Sequence, residues 1–250
     1  VFIRREFKND QVYKATLRTY LAYLMQNKCN LEWYIEGGRS RSGKLRPPRY
    51  GILSYVVDAF TAAEDESVYI VPVSITYDQQ HEIGAISAEE LGASKSPESV
   101  SWLVRYARAQ SRGMGRVHLR FGKPLSLAEA VESARLQEVD KAEAKGEPPP
   151  ENLDRYVVPK IAFEVSYRIN QVTPISSTSL VTFALLDNDD CSITLEQGRT
   201  ILRPLLDYIA IRGLPLTPDV DLSDTGGVAE ALANLVREGV VSRYDAGLDP

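Results

Sequence analysis

The stretch VYIVPVSITY, residues 68–77, limits the possible folds more than any other part of the sequence. Ten residues dominated by β-branched and aromatic types predict a strand. Pro72 interrupts the run, so the reading includes a bulge, a strand end or a site at that point. Short apolar runs at Val1–Ile3, Leu31–Ile35 and Arg116–Gly122 add three further strands. Helical periodicity lies between them. Asn9/Asp10 cap a helix over about 11–28, with Tyr13, Leu17, Tyr20, Leu21, Leu24 and Met25 in phase. Ile52, Val56, Ala59, Phe60 and Ala63 mark a second, which Pro47/Pro48 are expected to start; Ser96-Pro97 opens a third, to about Arg112. Strands alternating with helices over 1–125 predict an α/β layer with a mostly parallel sheet and flanking helices.

The rest reads differently. Ser126 and Glu129 form a capping box ahead of a helix to about Lys145. KGEPPPEN, residues 145–152, is a charged, proline-rich break. Helical patterns follow at about 153–171, 178–187, 195–212 and 227–238, the last closed by Gly239. The expected organisation is therefore an α/β portion over 1–125, a charged helix and linker over 126–152, and a mainly helical region over 153–250.

The 250 residues are 44% hydrophobic and 25% charged, enough for a large core and too apolar for general disorder. A net charge of −5 argues against a general nucleic-acid binder. Cys29 and Cys191, 162 residues apart, form no CxxC pair, which fits a reducing compartment and gives no zinc signature. No clustered His/Cys/carboxylate set implies a metal. No apolar run approaches the roughly 18–20 residues that cross a bilayer; Leu180–Leu186 is far too short.

Against that acidic background stands YIEGGRSRSGKLRPPR, residues 34–49. Arg39, Arg41, Lys44, Arg46 and Arg49 fall within eleven residues with no acid among them, and Glu36 stands just ahead. A strand, a loop with glycines at 37, 38 and 43, and then a helix is a common way to hold an anion. Glycines let backbone N–H groups approach, and arginines give paired hydrogen bonds to phosphate oxygens. Arg4 and Arg5 form a second basic pair at a strand end, where α/β sheets tend to bind ligands. Glu36 is positioned to accept from a substrate hydroxyl or to orient an arginine. A solvated basic loop with a structural Glu–Arg pair is the competing reading. GxxxxGK[ST] is absent, because Leu45 follows Lys44, so a P-loop nucleotide site is disfavoured.

VFIRREF (1–7), WYIEGGRSRSGKLRPPRYGIL (33–53) and VYIVPVSITYD (68–78) resemble three consecutive signature blocks of the glycerol-3-phosphate acyltransferase family. RINQVTPISSTSLVTFALL (168–186) resembles a further stretch of its large membrane-associated bacterial members and their dihydroxyacetone-phosphate acyltransferase relatives. The resemblance covers most of residues 1–190. It implies that Arg5 and Arg39 are the first phosphate ligands, with Arg4, Arg41 and Lys44 beside them. Glu36, Gly37 and Ser40 would shape the acceptor site, and the block around Pro72 the acyl-donor side. It also implies transfer of a fatty acyl group from acyl-CoA or acyl-ACP, as cosubstrate, to glycerol 3-phosphate. Dihydroxyacetone phosphate, a lysophospholipid acceptor or a non-catalytic phosphate-binding role are the alternatives. No bound cofactor is implied. The implied location is the cytoplasmic side of the cell membrane, as a peripheral protein. Ile175–Leu186 reads as a core helix before a membrane-facing one.

The family's catalytic motif, His-x4-Asp, precedes the block that corresponds to Val1–Phe7. The chain's two histidines do not supply it: Ile86 stands five residues after His81 and Lys123 five after His118. His118, within an apparent strand, reads as structural, and His81 carries no assigned role. The expectation is a part of a longer acyltransferase, with the His/Asp pair upstream and no catalytic residue in this chain. The polypeptide as it stands is expected to be inactive while keeping part of a phosphate pocket.

Overall fold

The computed structural model describes residues 9–38, 44–63, 67–77, 116–188, 192–218, 220–237 and 239–244. The expected strand at Val1–Ile3 and the helix from Ser96-Pro97 lie outside them. Contacts divide the chain into two compact units, 1–72 with 121–170, and 73–120 with 171–250.

In the first unit, helix α1 (Gln11–Gln26) begins where its cap predicts: the Asp10 carboxylate accepts from the Tyr13 N–H at 2.9 Å. Helix α2 (Gly51–Ala63) starts three residues after Pro48, so the proline pair precedes the helix and does not open it. α1 packs on α2, and Arg18 reaches Asp58 at 2.9 Å across the seam. Strand β1 (Tyr69–Ile70) pairs antiparallel with β4 (Leu125–Ser126), Tyr69 opposite Ser126 and Ile70 opposite Leu125. Helix α3 (Leu127–Lys145) follows at once, its first turn capped by the Ser126 hydroxyl, which accepts from Glu129 N–H, and its end by Gly146 at φ +68°. After the irregular stretch 147–153 comes helix α4 (Asp154–Val172), tied to α3 by side chains: Arg135 donates to the Asp154 carboxylate at 2.9 Å and Lys160 to the Ala134 carbonyl at 2.9 Å. Leu53, Val56, Leu127, Val131, Val157, Ile161 and Val165 form the common core.

Glu138 joins α3 to α4. Its carboxylate lies 2.8 Å from Lys160 Nζ and accepts from Lys141 Nζ at 2.9 Å, and these two ammonium groups pull its pKa down to about 2 from 4.5. A depressed carboxylate pKa stabilises the fold fully above the unfolded value, and the contribution is lost as pH falls through the folded one. The expected outcome is that Glu138→Gln flattens the decline of melting temperature between about pH 4.5 and 2, relative to the parent, and leaves the profile above pH 6 parallel.

In the second unit, β2 (Val73–Tyr77) pairs with β3 (Val117–Phe121), the strand whose last residue leads back to the first unit. Helices α5 (Ser177–Leu186), α6 (Leu195–Arg212) and α7 (Thr225–Arg237) pack on one another around Val181, Ala184, Leu202 and Val228. Gly213 and Gly239, both at positive φ, close α6 and α7 with their following N–H groups bonded back into the last turn. α5 is a core helix, with Leu180, Val181, Ala184 and Leu185 buried. Among the described residues no helix is long and apolar enough to cross a membrane.

The mostly parallel sheet is not formed by the described residues, which hold four short strands in two two-stranded ladders. Leu31–Ile35 is the clearest departure. Ile35 is buried, and Leu31 and Trp33 pack against the core, with Glu32 and Tyr34 outside, yet the backbone is irregular and turns at Ile35. Period-two burial shows which side chains face inward; it does not supply a hydrogen-bonding neighbour. The run 68–77 also divides, at Val71-Pro72, into β1 and β2. Proline has no N–H to offer a ladder.

Candidate functional site

The basic loop grows out of the first core. Ile35 is 7% exposed at its base, and Leu53, fully buried, anchors α2 beyond it. Between these anchors the backbone closes on itself. The Tyr34 carbonyl accepts from Gly37 N–H at 2.9 Å, and the Ile35 carbonyl from Arg49 N–H at 2.7 Å. A third link is a hydrogen bond to a charged acceptor. The Glu36 carboxylate accepts from the Arg46 backbone N–H at 2.7 Å. Glu36 thus orients an arginine through the main chain, clamping the far limb of the loop onto the near one. Bonds to a charged acceptor are the stronger kind.

Gly37 makes the closure possible. Its φ is +63°, and a Cβ there would stand 2.8 Å from Arg49 Cγ. Gly38 is nearly as close, its Cβ position 3.2 Å from an Arg46 guanidinium nitrogen. The two glycines therefore form a floor over which the Arg46 and Arg49 side chains lie. Lys44, Arg46 and Arg49 are exposed. The result is a short closed loop, tied at its base by its one carboxylate, that presents cations to solvent. Chemically, such an arrangement can hold an anion.

Of the residues expected in the site, the structure brings Glu36, Gly37 and Lys44 into this loop. Arg4, Arg5, Arg39, Ser40 and Arg41 lie outside the described residues. Pro72 is placed elsewhere in the same unit. It is fully buried, and its carbonyl accepts from Gly122 N–H at 2.7 Å. A Cβ on Gly122 would meet Pro72 Cβ at 3.3 Å. Pro72 thus seals the joint between β1 and β2 against the turn after β3. The Arg168 guanidinium holds that turn by donating to the Lys123 and Pro124 carbonyls, both at 3.1 Å. Arg168 carries no role in the sequence reading, because partners some 45 residues away leave no periodic trace; for Glu36 that reading includes an arginine to orient, and the structure makes it Arg46, through its backbone N–H. His118 lies on β3 with Nε2 buried and without a hydrogen-bond partner, and His81 lies outside the described residues. Among the described residues no group of three or more His, Cys, Asp or Glu side chains is placed to hold a metal ion.

Comparison with known proteins adds what the loop alone does not carry. Residues 87–250 match the family described as the glycerol-3-phosphate acyltransferase C-terminal region, and residues 1–76 match the acyltransferase family. Over 249 residues the chain is 42% identical to the plsB1 proteins of Mycobacterium bovis and of two Mycobacterium tuberculosis strains, which carry acyltransferase names. The match takes in 100% of this chain and 38% of each of theirs.

Proposed function

Because the chain belongs to the glycerol-3-phosphate acyltransferase family, we propose that it is the acceptor-binding part of an enzyme that acylates glycerol 3-phosphate at its 1-hydroxyl. The observation that carries the reading is the closed loop Glu36–Arg49, with its cations held over Gly37 and Gly38. Arg39 and Arg5 grip the phosphate dianion, Arg4, Arg41 and Lys44 add charge around it, and Ser40 donates a hydroxyl. The acceptor hydroxyl attacks the thioester carbonyl of acyl-CoA or acyl-ACP. A tetrahedral intermediate forms, the C–S bond breaks, and the ester is left on the glycerol. The hydroxyl proton passes to a histidine base and then to the departing thiolate. That histidine and its aspartate belong to the longer polypeptide, whose relatives are more than twice the length of this chain. The protein acts as a peripheral component on the cytoplasmic face of the cell membrane, where its acyl product partitions.

Two outcomes check this reading. The 250-residue chain, given glycerol 3-phosphate and radiolabelled palmitoyl-CoA, is expected to form no acylated product; product at rates above the uncatalysed background would overturn the assignment of the base to a residue outside it. Gly37→Ala forces a side chain into a left-handed conformation that costs about 1–2 kcal/mol. Its expected effect is a rise of about tenfold in the Kd for glycerol 3-phosphate, with a fall in melting temperature of about 2–8 °C, at roughly 2–4 °C per kcal/mol.

A further inference from the structure

Arg49 ends the basic loop, and both its backbone and its stem are fixed. Its N–H donates to the Ile35 carbonyl at 2.7 Å, at the edge of the first core. Pro47 and Pro48 lock two φ angles in the limb that leads to it. Its stem lies along Gly37: Cβ, Cγ and Cδ stand 3.5, 2.8 and 3.9 Å from the point a Gly37 Cβ would occupy. An exposed arginine ordinarily samples many rotamers. Here three of its carbons are laid against backbone that only glycine leaves bare, so the direction of the guanidinium is set before any ligand arrives.

The charge at the end of that stem has no use inside the fold. Among the described residues no carboxylate is placed on the Arg49 guanidinium. Glu36 is committed to the Arg46 N–H, and α2, which begins two residues after Arg49, holds no acidic residue in its first turn. Arg46 crosses the neighbouring glycine, with a guanidinium nitrogen 3.2 Å from the Gly38 Cβ position. Two arginines are thus drawn over adjacent glycines, where like charges repel and a bound dianion would turn that repulsion into attraction. We propose that Arg49 is a further phosphate ligand of the acceptor site, gripping the dianion from the far limb of the loop. The inference rests on the proposed acceptor reading and adds to it a residue that the family blocks do not assign.

Arg49→Met separates charge from packing, since it keeps an unbranched stem over Gly37 and removes the guanidinium. Glycerol 3-phosphate and, separately, coenzyme A are titrated into the complete gene product and its Arg49→Met, Arg49→Lys and Arg39→Ala variants. Arg203→Met, exposed on α6, controls for the loss of one positive charge. The proposal expects the Kd for glycerol 3-phosphate to rise about tenfold in Arg49→Met and by less in Arg49→Lys, with Arg203→Met matching the parent and coenzyme A affinity unchanged throughout the Arg49 variants. Equal affinity in Arg49→Met and the parent overturns the inference; if Arg39→Ala is weakened all the same, the acceptor reading stands without it. A parent that does not bind glycerol 3-phosphate overturns both. Weakening confined to coenzyme A assigns Arg49 to the donor, and equal weakening in Arg203→Met reduces it to net charge; either overturns the inference. If Arg49→Met does not fold, Arg49→Lys decides alone: a rise of about threefold or more supports the assignment, and no rise overturns it.

Discussion

Gly227→Ala is expected to destabilise the second unit by about 3 kcal/mol or more, the largest effect expected of a glycine-to-alanine change among the described residues. Gly227 lies in the first turn of α7, where its N–H donates to the Asp224 carboxylate at 2.7 Å. A Cβ at this position would stand 1.5 Å from the Asp221 carbonyl oxygen and 2.5 Å from its carbon. Both are backbone atoms, so no rotamer change relieves the overlap. The chain around Asp221 cannot retreat freely, because the next residue, Leu222, is buried in the same core as Val228. The melting temperature of this unit should fall by about 6–12 °C, at roughly 2–4 °C per kcal/mol for a protein of this size. Gly226→Ala provides the contrast. Its Cβ would meet only the Asp224 carboxylate, at 3.2 Å, and alanine gains helix propensity there. Its effect is expected to stay within about 1 kcal/mol. Equal melting temperatures for the two variants would show that the Asp221–Gly227 approach is not a feature of the folded protein.

The helices were legible in the sequence because each carries its own evidence. α6 runs from Leu195 to Arg212 as its periodicity predicts, and α4, α5 and α7 differ from prediction by one or two residues at their ends. Caps account for much of this. Asp10, Ser126 and Gly239 all act where their residue types suggest. Among the described residues the complete reciprocal capping box is at Thr194–Gln197, where each side chain bonds the other's backbone, while at Ser126–Glu129 only the Ser126 half forms. Sheet was far less legible. Leu31–Ile35 alternates inward and outward as a strand does but pairs with nothing among the described residues. Whether a strand forms is decided by a partner distant in sequence, and alternation is silent about that partner. Pro72 was rightly marked as a break, yet its surroundings at Gly122 and Arg168 arise from residues about 50 and 96 positions away. The candidate site was half legible. Its charge and glycines are local and visible. The Glu36 clamp on the Arg46 N–H and the stacking of Arg49 on Gly37 come from loop closure, which composition does not encode.

Arg39 carries the second large prediction. It follows directly on the two glycines that turn the loop, and it leads the run of five cations. Guanidinium binds a phosphate through two parallel N–H···O bonds, so truncation removes both and leaves the dianion's oxygens without their partner. Loss of such a charge-assisted contact should cost about 1.5–3 kcal/mol, or roughly ten- to a hundredfold in affinity. Arg39→Lys should recover part of this, since the charge remains and only the paired geometry is lost. Neither change should alter the melting temperature of either unit.

The most direct measurement is a calorimetric titration of glycerol 3-phosphate into the complete gene product and its Arg39→Ala variant, with glycerol as the uncharged control. The account predicts saturable binding to the parent, a Kd ten- to a hundredfold weaker in the variant, and no detectable binding of glycerol to either. Equal affinities for the two proteins would contradict it, reducing the loop to a solvated basic surface and placing the acceptor's phosphate elsewhere.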